Sequence, residues 1–418
     1  MNRVLAIILA GGAGARLKPL TDGRSKPAVP FAGKFRLIDL TLSNCINSGI
    51  RQIFILVQYI SWSLQRHIQE GWDISGSRLG EYIYCIPAQQ KSGLDRYQGT
   101  ADAVRQNLDL LRRRGVEHVL ILSGDHVYKM NYMQMLDYHQ KQNAGLTVSA
   151  IKVSREKAAN NLGVFEVDQN FRAVRFEEKP AQPSSIPGEP EYALASMGVY
   201  IFRTEVLIEA LHGGGEDFGR DIIPVMTAQR NDICVYDFAA NNKIQEYIVQ
   251  VQDGMRNRVL VDRTQDSSYW RDVGSIDSYY EANMDLISIE PLFNLYGEEW
   301  VFRTYDRSLP PSKYAIGGKA LDSIVSDGCI ISGGLVERSI LSPGVIVEKD
   351  ACVEDSVIFD DVIIEPGVKI KRAIIDKDAI IRSGMSLGYD LEADARKGCF
   401  ISEKGIITVP KSMEVGPG

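Results

Sequence analysis

Residues 4–17 read VLAIILAGGAGARL, and this stretch indicates the fold of the first two thirds of the chain. Its opening run, Val4–Leu9, is continuously apolar, which is typical of a strand buried on both faces of a sheet. The runs Ile53–Val57 and Val119–Leu122 have the same character, and amphipathic stretches separate them. One such stretch, Thr100–Arg114, predicts a helix with its first residue as the N-cap. Alternating strands and helices predict an α/β domain with a doubly wound, mostly parallel sheet.

The last third of the chain repeats with a period of six residues. Shorter apolar rows with this spacing begin at Ile324 and Ile374, and a parallel row begins at Val345. The longest row consists of Ile340, Ile346, Cys352, Ile358, Ile364 and Ile370. This period predicts a hexapeptide-repeat parallel β-helix, with a run of antiparallel strands as the less favoured alternative. We therefore expect domains at 1–285 and 319–418, joined by a Pro- and Gly-containing connection at 286–318.

The composition excludes several classes of protein. The chain has 418 residues, 44% of them hydrophobic and 24% charged, with a net charge of −7, which is an ordinary globular balance. It has no block of five like charges and no apolar run near ~18 residues, so we expect neither nucleic acid nor a membrane as a partner. The cysteines lack metal-ligand spacing and predict free thiols in a reducing compartment, the cytoplasm. Val4–Ala10 after Arg3 also resembles a short signal peptide, but the run suits a first strand better.

The loop after the first strand has the composition of a phosphate-binding loop. Gly11, Gly12 and Gly14 let backbone N–H groups approach an anion, and the N-terminus of a following helix would favour it. The loop is neither a Walker A motif nor a complete dinucleotide fingerprint. Arg16 and Lys26 supply cations that can clamp a triphosphate. The alternative is a tight turn followed by two solvated surface charges.

Acidic residues at other strand ends indicate further ligand contacts. Asp125 follows the run Val119–Leu122, at the edge where parallel sheets bind ligands, and can hold Mg²⁺ there. Asp272 is the candidate for a second carboxylate on that ion. Glu178 and Lys179 can bind sugar hydroxyls and a sugar phosphate, respectively. The alternatives are an Asp that caps a turn and a solvated Glu-Glu-Lys-Pro turn.

These motifs form part of an ordered series of strings. The series comprises LAGGAGARL at 9–17, SKPAVPFAGKFRLIDLTLSNCINSGI at 25–50, PAQQ at 87–90, YQGTADAV at 97–104, LSGDHVYK at 122–129, FEEKP at 176–180, ASMGVYIF at 195–202, DFGRDIIP at 217–224 and YWRDVG at 269–274. In these strings the chain resembles the bacterial glucose-1-phosphate adenylyltransferases, or ADP-glucose pyrophosphorylases, within the sugar nucleotidyltransferases. The resemblance runs from Leu5 to about Ile407.

The resemblance implies a fold, a reaction and an assembly. The fold would be a Rossmann-like nucleotidyltransferase catalytic domain over 1–285 and a left-handed parallel β-helix over 319–418. The reaction would transfer AMP from ATP to α-D-glucose 1-phosphate by direct in-line attack with Mg²⁺, giving ADP-glucose for glycogen synthesis and pyrophosphate. The family also implies a homotetramer and small-molecule allosteric effectors.

The resemblance also implies the roles of individual residues. The ATP-binding residues would be Gly11, Gly12, Gly14, Arg16, Lys26 and Gln89. The glucose 1-phosphate-binding residues would be Tyr97, Gly163, Glu178, Lys179, Ser196, Tyr200, Asp217, Phe218 and Trp270. Asp125 and Asp272 would hold Mg²⁺, and the catalytic group would comprise Arg16, Lys26, Asp125 and Lys179.

Other activities stay open at this stage. One is a catalytically weak regulatory subunit of the same enzyme, which the retained cations and carboxylates disfavour. Another is a nucleotidyltransferase that uses a different nucleoside triphosphate. An acyltransferase activity of the β-helix is disfavoured, because no histidine lies beyond His212 to act as a general base.

Overall fold

The structure is a computed structural model that describes residues 4–12, 14–73, 76, 79–88, 96–112, 115–230, 232–252, 255–262, 265–289 and 291–417. It consists of an α/β part followed by a stack of short parallel strands. Across these ranges no helix is long and apolar enough to cross a membrane.

Strands and helices alternate in the α/β part. The strands are β1 (Val4–Ala10), β2 (Pro30–Phe31), β3 (Phe35–Arg36), β4 (Gln52–Val57), β5 (Tyr82–Pro87), β6 (His118–Ser123), β7 (His126–Tyr128), β8 (Leu146–Ser154), β9 (Val164–Val167), β10 (Ala173–Glu177), β11 (Tyr192–Arg203), β12 (Ile233–Asp237), β13 (Glu246–Gln252), β14 (Met255–Val261) and β15 (Trp270–Asp272). The helices are α1 (Leu37–Asn47), α2 (Trp62–Gly71), α3 (Thr100–Arg105), α4 (Leu108–Arg112), α5 (Tyr132–Lys141), α6 (Arg155–Ala158), α7 (Thr204–His212), α8 (Ile223–Gln229), α9 (Phe238–Asn241) and α10 (Ile276–Met284).

The α/β part is built on one mixed sheet. Nine strands of the described chain form it, in the order β10-β9-β11-β6-β1-β4-β5, with β8 paired to β11 and β12 paired to β8. The neighbours β6, β1, β4 and β5 are parallel, and β11 is antiparallel to β6. The three apolar runs of the sequence are β1, β4 and β6, and separate clusters of buried side chains cover the two faces. The predicted α/β sheet is confirmed, with antiparallel strands beyond β6.

The helix predicted over Thr100–Arg114 differs from the observed structure. It is interrupted after Arg105, and its N-cap is Gly99 rather than Thr100. The Thr100 hydroxyl instead donates to Asp217 Oδ2 at 2.9 Å. A tertiary partner has therefore displaced the local cap, and it ties the start of α3 to a residue of the predicted sugar site.

The last third of the chain forms a stack of coils. Its elements are β16 (Lys313–Ala315), β17 (Lys319–Leu321), β18 (Ile324–Val325), β19 (Ile330–Ser332), β20 (Leu335–Glu337), β21 (Ile340–Leu341), β22 (Ile346–Val347), β23 (Cys352–Glu354), β24 (Val357–Ile358), β25 (Ile363–Ile364), β26 (Lys369–Lys371), β27 (Ala373–Ile375), β28 (Ile380–Ile381), β29 (Ser386–Leu387), α11 (Leu391–Arg396), β30 (Phe400–Ile401), β31 (Ile407–Val409) and β32 (Glu414–Val415). These strands stack into three sheets whose neighbours are parallel apart from the β30–β31 pair. The prediction of a parallel β-helix is confirmed.

The inward positions of the β-helix do not follow the predicted row throughout. Two members of the longest predicted row, Ile346 and Cys352, are only half-buried. The residues that directly follow them, Val347 and Val353, are fully buried instead. The paired residues Ile346 and Ile363 lie 17 positions apart, one fewer than three exact hexapeptides. Each 17-residue coil therefore shifts the inward position by one residue from an exact hexapeptide repeat.

The connection between the two parts packs along α1. Trp300 Nε1 donates to Asn44 Oδ1 at 2.9 Å, and Thr304 Oγ1 donates to Asp39 Oδ2 at 2.7 Å. A buried ion pair of 2.9 Å between Arg24 and Asp376 joins the α/β part to the β-helix. The β-helix is thus fixed to the segment that also carries Lys26.

Candidate active site

The glycine loop lies at the carboxyl end of β1. A single helical turn, Ala15–Leu17, follows it instead of the expected longer helix. Gly14 has a φ of 62°, and a Cβ there would lie 2.9 Å from Thr21 Cγ2 and 3.2 Å from Lys26 Cβ. Glycine is required at this position because a side chain would be strained and would overlap its neighbours. The loop therefore packs directly on the segment that carries Lys26.

A short antiparallel ribbon brings the two predicted metal ligands together. Asp125 immediately precedes β7, and β15 ends at Asp272, which pairs with His126 in the ribbon. Lys26 Nζ lies 2.8 Å from Asp125 Oδ2 and 3.3 Å from Asp272 Oδ1. Three groups that are far apart in the sequence thus meet at one point.

Lys26 and Asp125 hold each other in the charged state. Burial alone would raise the pKa of Asp125, but Lys26 and then His126 keep it well below its ordinary value. Burial alone would lower the pKa of Lys26, but the carboxylates of Asp125 and Asp272 outweigh it, and the pKa is raised. The hydroxyl of Ser123 also donates to Asp125. At neutral pH the cluster contains a charged ammonium between two carboxylates.

Arg16 contacts the same region. A Cβ placed at Gly274 would lie 3.0 Å from Arg16 Nη2 and 3.3 Å from Asp272 Oδ2. The guanidinium and the carboxylate therefore share the space above this glycine. Two cations, Arg16 and Lys26, stand at the glycine loop, as a polyanionic ligand would need.

The two carboxylates fit a magnesium ion. Asp125 and Asp272 both contact the Lys26 ammonium, so they converge on one cation-sized position. Elsewhere in the described ranges, as here, no three His, Cys, Asp or Glu residues are grouped to hold a metal. Mg²⁺ commonly takes one or two protein carboxylates and completes its shell with water and substrate phosphates. The donor set therefore fits Mg²⁺ that arrives with a nucleotide.

Glu178 is the centre of a second cluster. A Cβ at Gly163 would lie 2.8 Å from Glu178 Oε2, and one at Gly219 would lie 2.7 Å from the same oxygen. The carboxylate therefore occupies a slot between two glycine backbones. Lys179 Nζ lies 3.3 Å from Glu178 Oε1, and Lys179 has a φ of 48°, unusual for a side chain other than glycine. This turn presents adjacent positive and negative groups, which suits a phosphorylated polyol.

Strand β11 and the segment before α8 form the other wall of this cluster. The strand is irregular between Ser196 and Val199, and the Ser196 hydroxyl accepts a hydrogen bond from the Gly198 N–H at 3.3 Å. The rings of Tyr200 and Phe218 lie 5.8 Å apart. Asp217 Oδ1 accepts backbone N–H groups from the π-helical turn Phe218–Ile222. A carboxylate, hydroxyls and aromatic rings thus surround one small space.

A cavity of about 370 Å³ extends from the first cluster to Asp217, at the edge of the second. Its wall includes Gly11, Gly12, Lys26, Tyr97, Asp125 and Asp217. The predicted phosphate loop, metal ligands and part of the predicted sugar site therefore border one space. This volume lies within the ~300–1,000 Å³ common for ligand pockets.

Trp270 stands apart from the Glu178 cluster. Its ring packs edge-on against His126, beside the predicted metal carboxylates, with ring centres 5.3 Å apart. Its Nε1 is buried and has no hydrogen-bond partner among the described residues. Gln89, the residue predicted near adenine, lies outside the described residues.

Gln58 was missed at the sequence level. It follows β4 and lines the cavity, and its side chain pairs with the backbone of Tyr97 through Oε1 at 2.6 Å and Nε2 at 3.2 Å. It thereby fixes the loop that carries Tyr97. The sequence could have indicated Gln58, because it directly follows the apolar run Ile53–Val57. Ligands bind at the carboxyl ends of parallel strands, which is the reason that Asp125 was selected.

His126 lies beside the two predicted metal ligands. Its Nδ1 lies 3.1 Å from Met197 O. Its Nε2 lies 3.8 Å from both Asp125 Oδ1 and Asp272 Oδ1. This ring nitrogen therefore faces both predicted metal ligands.

Comparison with known proteins agrees with this geometry. A family profile described as nucleotidyl transferase matches residues 5–289, and one described as GlmU-like, C-terminal hexapeptide, matches residues 310–409. A relative named glucose-1-phosphate adenylyltransferase from Dechloromonas aromatica is 47% identical, over 99% of this chain and 92% of the relative. Relatives with the same name from Shewanella baltica and Saccharophagus degradans are 45% and 44% identical, each over 98% of this chain and 94% of the relative. The resemblance seen in the motifs is confirmed, and the chain belongs to the nucleotidyl transferase family, in its glucose-1-phosphate adenylyltransferase branch.

Proposed function

We propose that this protein transfers AMP from ATP to α-D-glucose 1-phosphate, releasing pyrophosphate and ADP-glucose. The observation that carries the proposal is the position of Lys26 Nζ, 2.8 Å from Asp125 and 3.3 Å from Asp272, next to the glycine loop. The shared name of the relatives supports the substrates. We assign residues 1–285 to catalysis, 286–318 to the connection and 319–418 to the β-helix domain.

The chemistry needs no covalent enzyme intermediate. A phosphate oxygen of glucose 1-phosphate attacks the α-phosphorus of ATP while the bond to pyrophosphate breaks in line with it. No proton has to move, because the attacking phosphate is already an anion. Mg²⁺ held by Asp125 and Asp272 would neutralise charge on the triphosphate and the departing pyrophosphate. Catalysis then depends on positioning and on charge neutralisation.

The chain's own residues divide these tasks. The N–H groups of the glycine loop, with Gly11, Gly12 and Gly14, receive the triphosphate, and Arg16 and Lys26 offset its charge. Lys179 offsets the charge of the sugar phosphate, so that two anions can approach each other. Glu178 accepts hydrogen bonds from sugar hydroxyls. Tyr97, Gly163, Ser196, Tyr200, Asp217, Phe218 and Trp270 shape the rest of the sugar site, and Gln89 is assigned to the adenine.

The first test is pyrophosphate release by the purified protein with Mg²⁺ and glucose 1-phosphate. ATP is compared with UTP, GTP, CTP and dTTP at equal concentrations. We expect strong preference for ATP, and omission of glucose 1-phosphate controls for simple ATP hydrolysis. Robust turnover with another nucleotide would keep the mechanism and refute ADP-glucose as the product. No turnover with any nucleotide, even with candidate activators, would favour a regulatory subunit.

The proposal includes a homotetramer. The first strands of the β-helix, β16 and β17, leave one edge unpaired in the described chain, and Tyr314, Ile316 and Leu321 are exposed there. Unpaired edges with apolar side chains are normally covered by another chain or element. Light scattering should give the mass of four 46.5 kDa chains, and a clean monomer would contradict the proposal.

The proposal also includes regulation by small anions. A cavity of about 640 Å³ lies between the α/β part and the β-helix, bordered by Arg24, Arg36, Lys377 and Lys411 among other residues. Arg24 Nη1 is buried without a hydrogen-bond partner among the described residues. Activity should change when sugar phosphates or other small phosphorylated metabolites are added, and Lys377→Gln should weaken that response.

The cellular setting follows from the product. ADP-glucose is a glucosyl donor, and we assign its synthesis here to glycogen formation in the cytoplasm. The six cysteines are free thiols, which agrees with a reducing compartment. Growth with excess carbon should give less glycogen when the coding sequence is deleted, and unchanged glycogen would contradict this setting.

A further inference from the structure

A buried ion pair lies behind the ribbon that carries the metal carboxylates. Lys129 follows β7 directly and is fully buried, and Glu246, the first residue of β13, is 2% exposed. Lys129 Nζ lies 2.7 Å from Glu246 Oε1. Neither residue lines the cavity between the two clusters. The nucleotide and sugar contacts described above therefore leave this pair without a role.

The pair is connected to both strands of the ribbon. Asn242 Nδ2 donates to Lys129 O and to Ser267 O, each at 2.8 Å, and Asn242 is fully buried. Lys129 directly follows β7, and Ser267 lies shortly before β15. The β13–β14 hairpin begins at Glu246 and ends at Val261, and the chain then continues to β15. The ion pair and Asn242 thus fix the end of β7 and the segment before β15 to the same buried group of side chains.

Stability alone does not account for such a pair. Two charges that are removed from water lose hydration, and apolar residues of similar volume commonly serve stability equally well or better. In some proteins a buried polar or charged group instead fixes the register of the elements that it joins. We propose that Lys129 and Glu246 are positioning residues that set the β7–β15 register and thereby the separation of Asp125 and Asp272.

The register matters because the carboxylates converge closely. Asp272 pairs with His126 in the ribbon, and its Oδ1 lies 3.3 Å from Lys26 Nζ. A slip by one residue would move Asp272 by ~3.3 Å along the strand and turn its side chain to the other face. The two carboxylates would then no longer converge on one cation. The assignment of Asp125 and Asp272 to the metal, on which this inference rests, is tested separately below.

The main test replaces the pair with apolar side chains of similar size, Lys129→Met together with Glu246→Leu. The readouts are the Tm, the steady-state constants, and binding of Mn²⁺ in the presence of a non-hydrolysable ATP analogue, followed by electron paramagnetic resonance. We expect a near-normal Tm and an unchanged KM for glucose 1-phosphate. We expect kcat and Mn²⁺ affinity to fall by about 10- to 100-fold, as is typical when groups behind metal ligands are removed.

Two further variants keep the result interpretable. Glu246→Gln retains the shape and one hydrogen-bond acceptor, so it should fold and show a smaller loss of Mn²⁺ affinity in the same direction. Leu211→Ala, at a fully buried position in α7, should lower the Tm and leave the Mn²⁺ affinity unchanged. A role confined to stability would move the Tm in each variant and the Mn²⁺ affinity in none.

The outcomes separate the two levels of the proposal. Wild-type kcat and Mn²⁺ affinity in the folded double variant would overturn the positioning role. If the double variant does not fold, an unchanged Mn²⁺ affinity in Glu246→Gln would overturn it instead. An unchanged Mn²⁺ affinity in Asp125→Asn would overturn the metal assignment, and the inference with it.

Discussion

Gly163→Ala is the most informative single change for the sugar site. A Cβ at this position would lie 2.4 Å from Phe176 Cζ and 2.8 Å from Glu178 Oε2. Because ordinary contacts between such atoms are ~3.5–4.0 Å, both side chains have to move, by roughly 0.7–1.5 Å. Phe176 is 4% exposed and its ring lies 4.6 Å from that of Phe165, so the ring has little room. We therefore expect the carboxylate of Glu178 to be displaced together with the Phe176 ring.

The expected cost follows from that displacement. A misplacement of about 1 Å at a reacting or binding group costs up to about 100-fold in rate, equivalent to about 2.7 kcal/mol. We expect kcat/KM for glucose 1-phosphate to fall by roughly 30- to 100-fold, mainly through KM. The KM for ATP should stay within about threefold, because the three atoms nearest to a Cβ at Gly163 belong to Phe176 and Glu178 and not to the glycine loop.

The assay is steady-state pyrophosphate release, with each substrate varied in turn at saturating concentrations of the other. Gly213→Ala is the matched control, since Gly213 has a φ of −66° and the nearest atom to its Cβ would be at 3.4 Å. Thermal unfolding of both variants separates misfolding from a local effect. A folded Gly163→Ala protein with an unchanged KM for glucose 1-phosphate would refute the assignment of Gly163 and Glu178 to the sugar site.

Three further predictions concern individual side chains. Asp125→Asn should lower kcat by roughly 100-fold or more, because it removes a charge that holds the metal, and near-normal kcat would refute that role. Lys179→Gln should raise the KM for glucose 1-phosphate with a smaller effect on kcat; an unchanged KM would exclude it as a phosphate ligand. Burial, followed by His118 nearby, lowers the pKa of His139 to about 3, so the unfolded chain binds a proton near pH 6.5 that the folded protein does not. The free energy of unfolding should therefore fall by about 2 kcal/mol more between pH 7 and pH 5 in the wild type than in His139→Gln, and equal falls in urea unfolding would contradict this.

Much of the fold could be predicted from the sequence because it depends on local patterns. The runs Val4–Leu9, Ile53–Val57 and Val119–Leu122 are strands because continuous apolar segments have to be buried on both faces. The period of six predicts stacked coils for a similar reason, since each coil buries one edge against the next. The glycine loop and Asp125 followed from their position at the carboxyl ends of such strands.

Other features depended on contacts between distant residues. The Thr100 hydroxyl donates to Asp217 instead of capping its own helix. The 17-residue coils place Val347 and Val353 inward instead of the residues before them. No local pattern indicates that Gln58 pairs with Tyr97, or that Lys129 pairs with Glu246. These partners are selected by the packing of the whole domain.

The sequence by itself determined the strands, the coils and the chemical types of the groups at the strand ends. The tertiary structure alone decided which of those groups meet. Asp125 and Asp272 lie 2.8 Å and 3.3 Å from Lys26 Nζ because the three-residue β7–β15 ribbon pairs His126 with Asp272. Such a short ribbon has almost no stability of its own and forms only where surrounding packing imposes its register. Local sequence therefore specifies the groups, and long-range packing specifies the distances on which their chemistry depends.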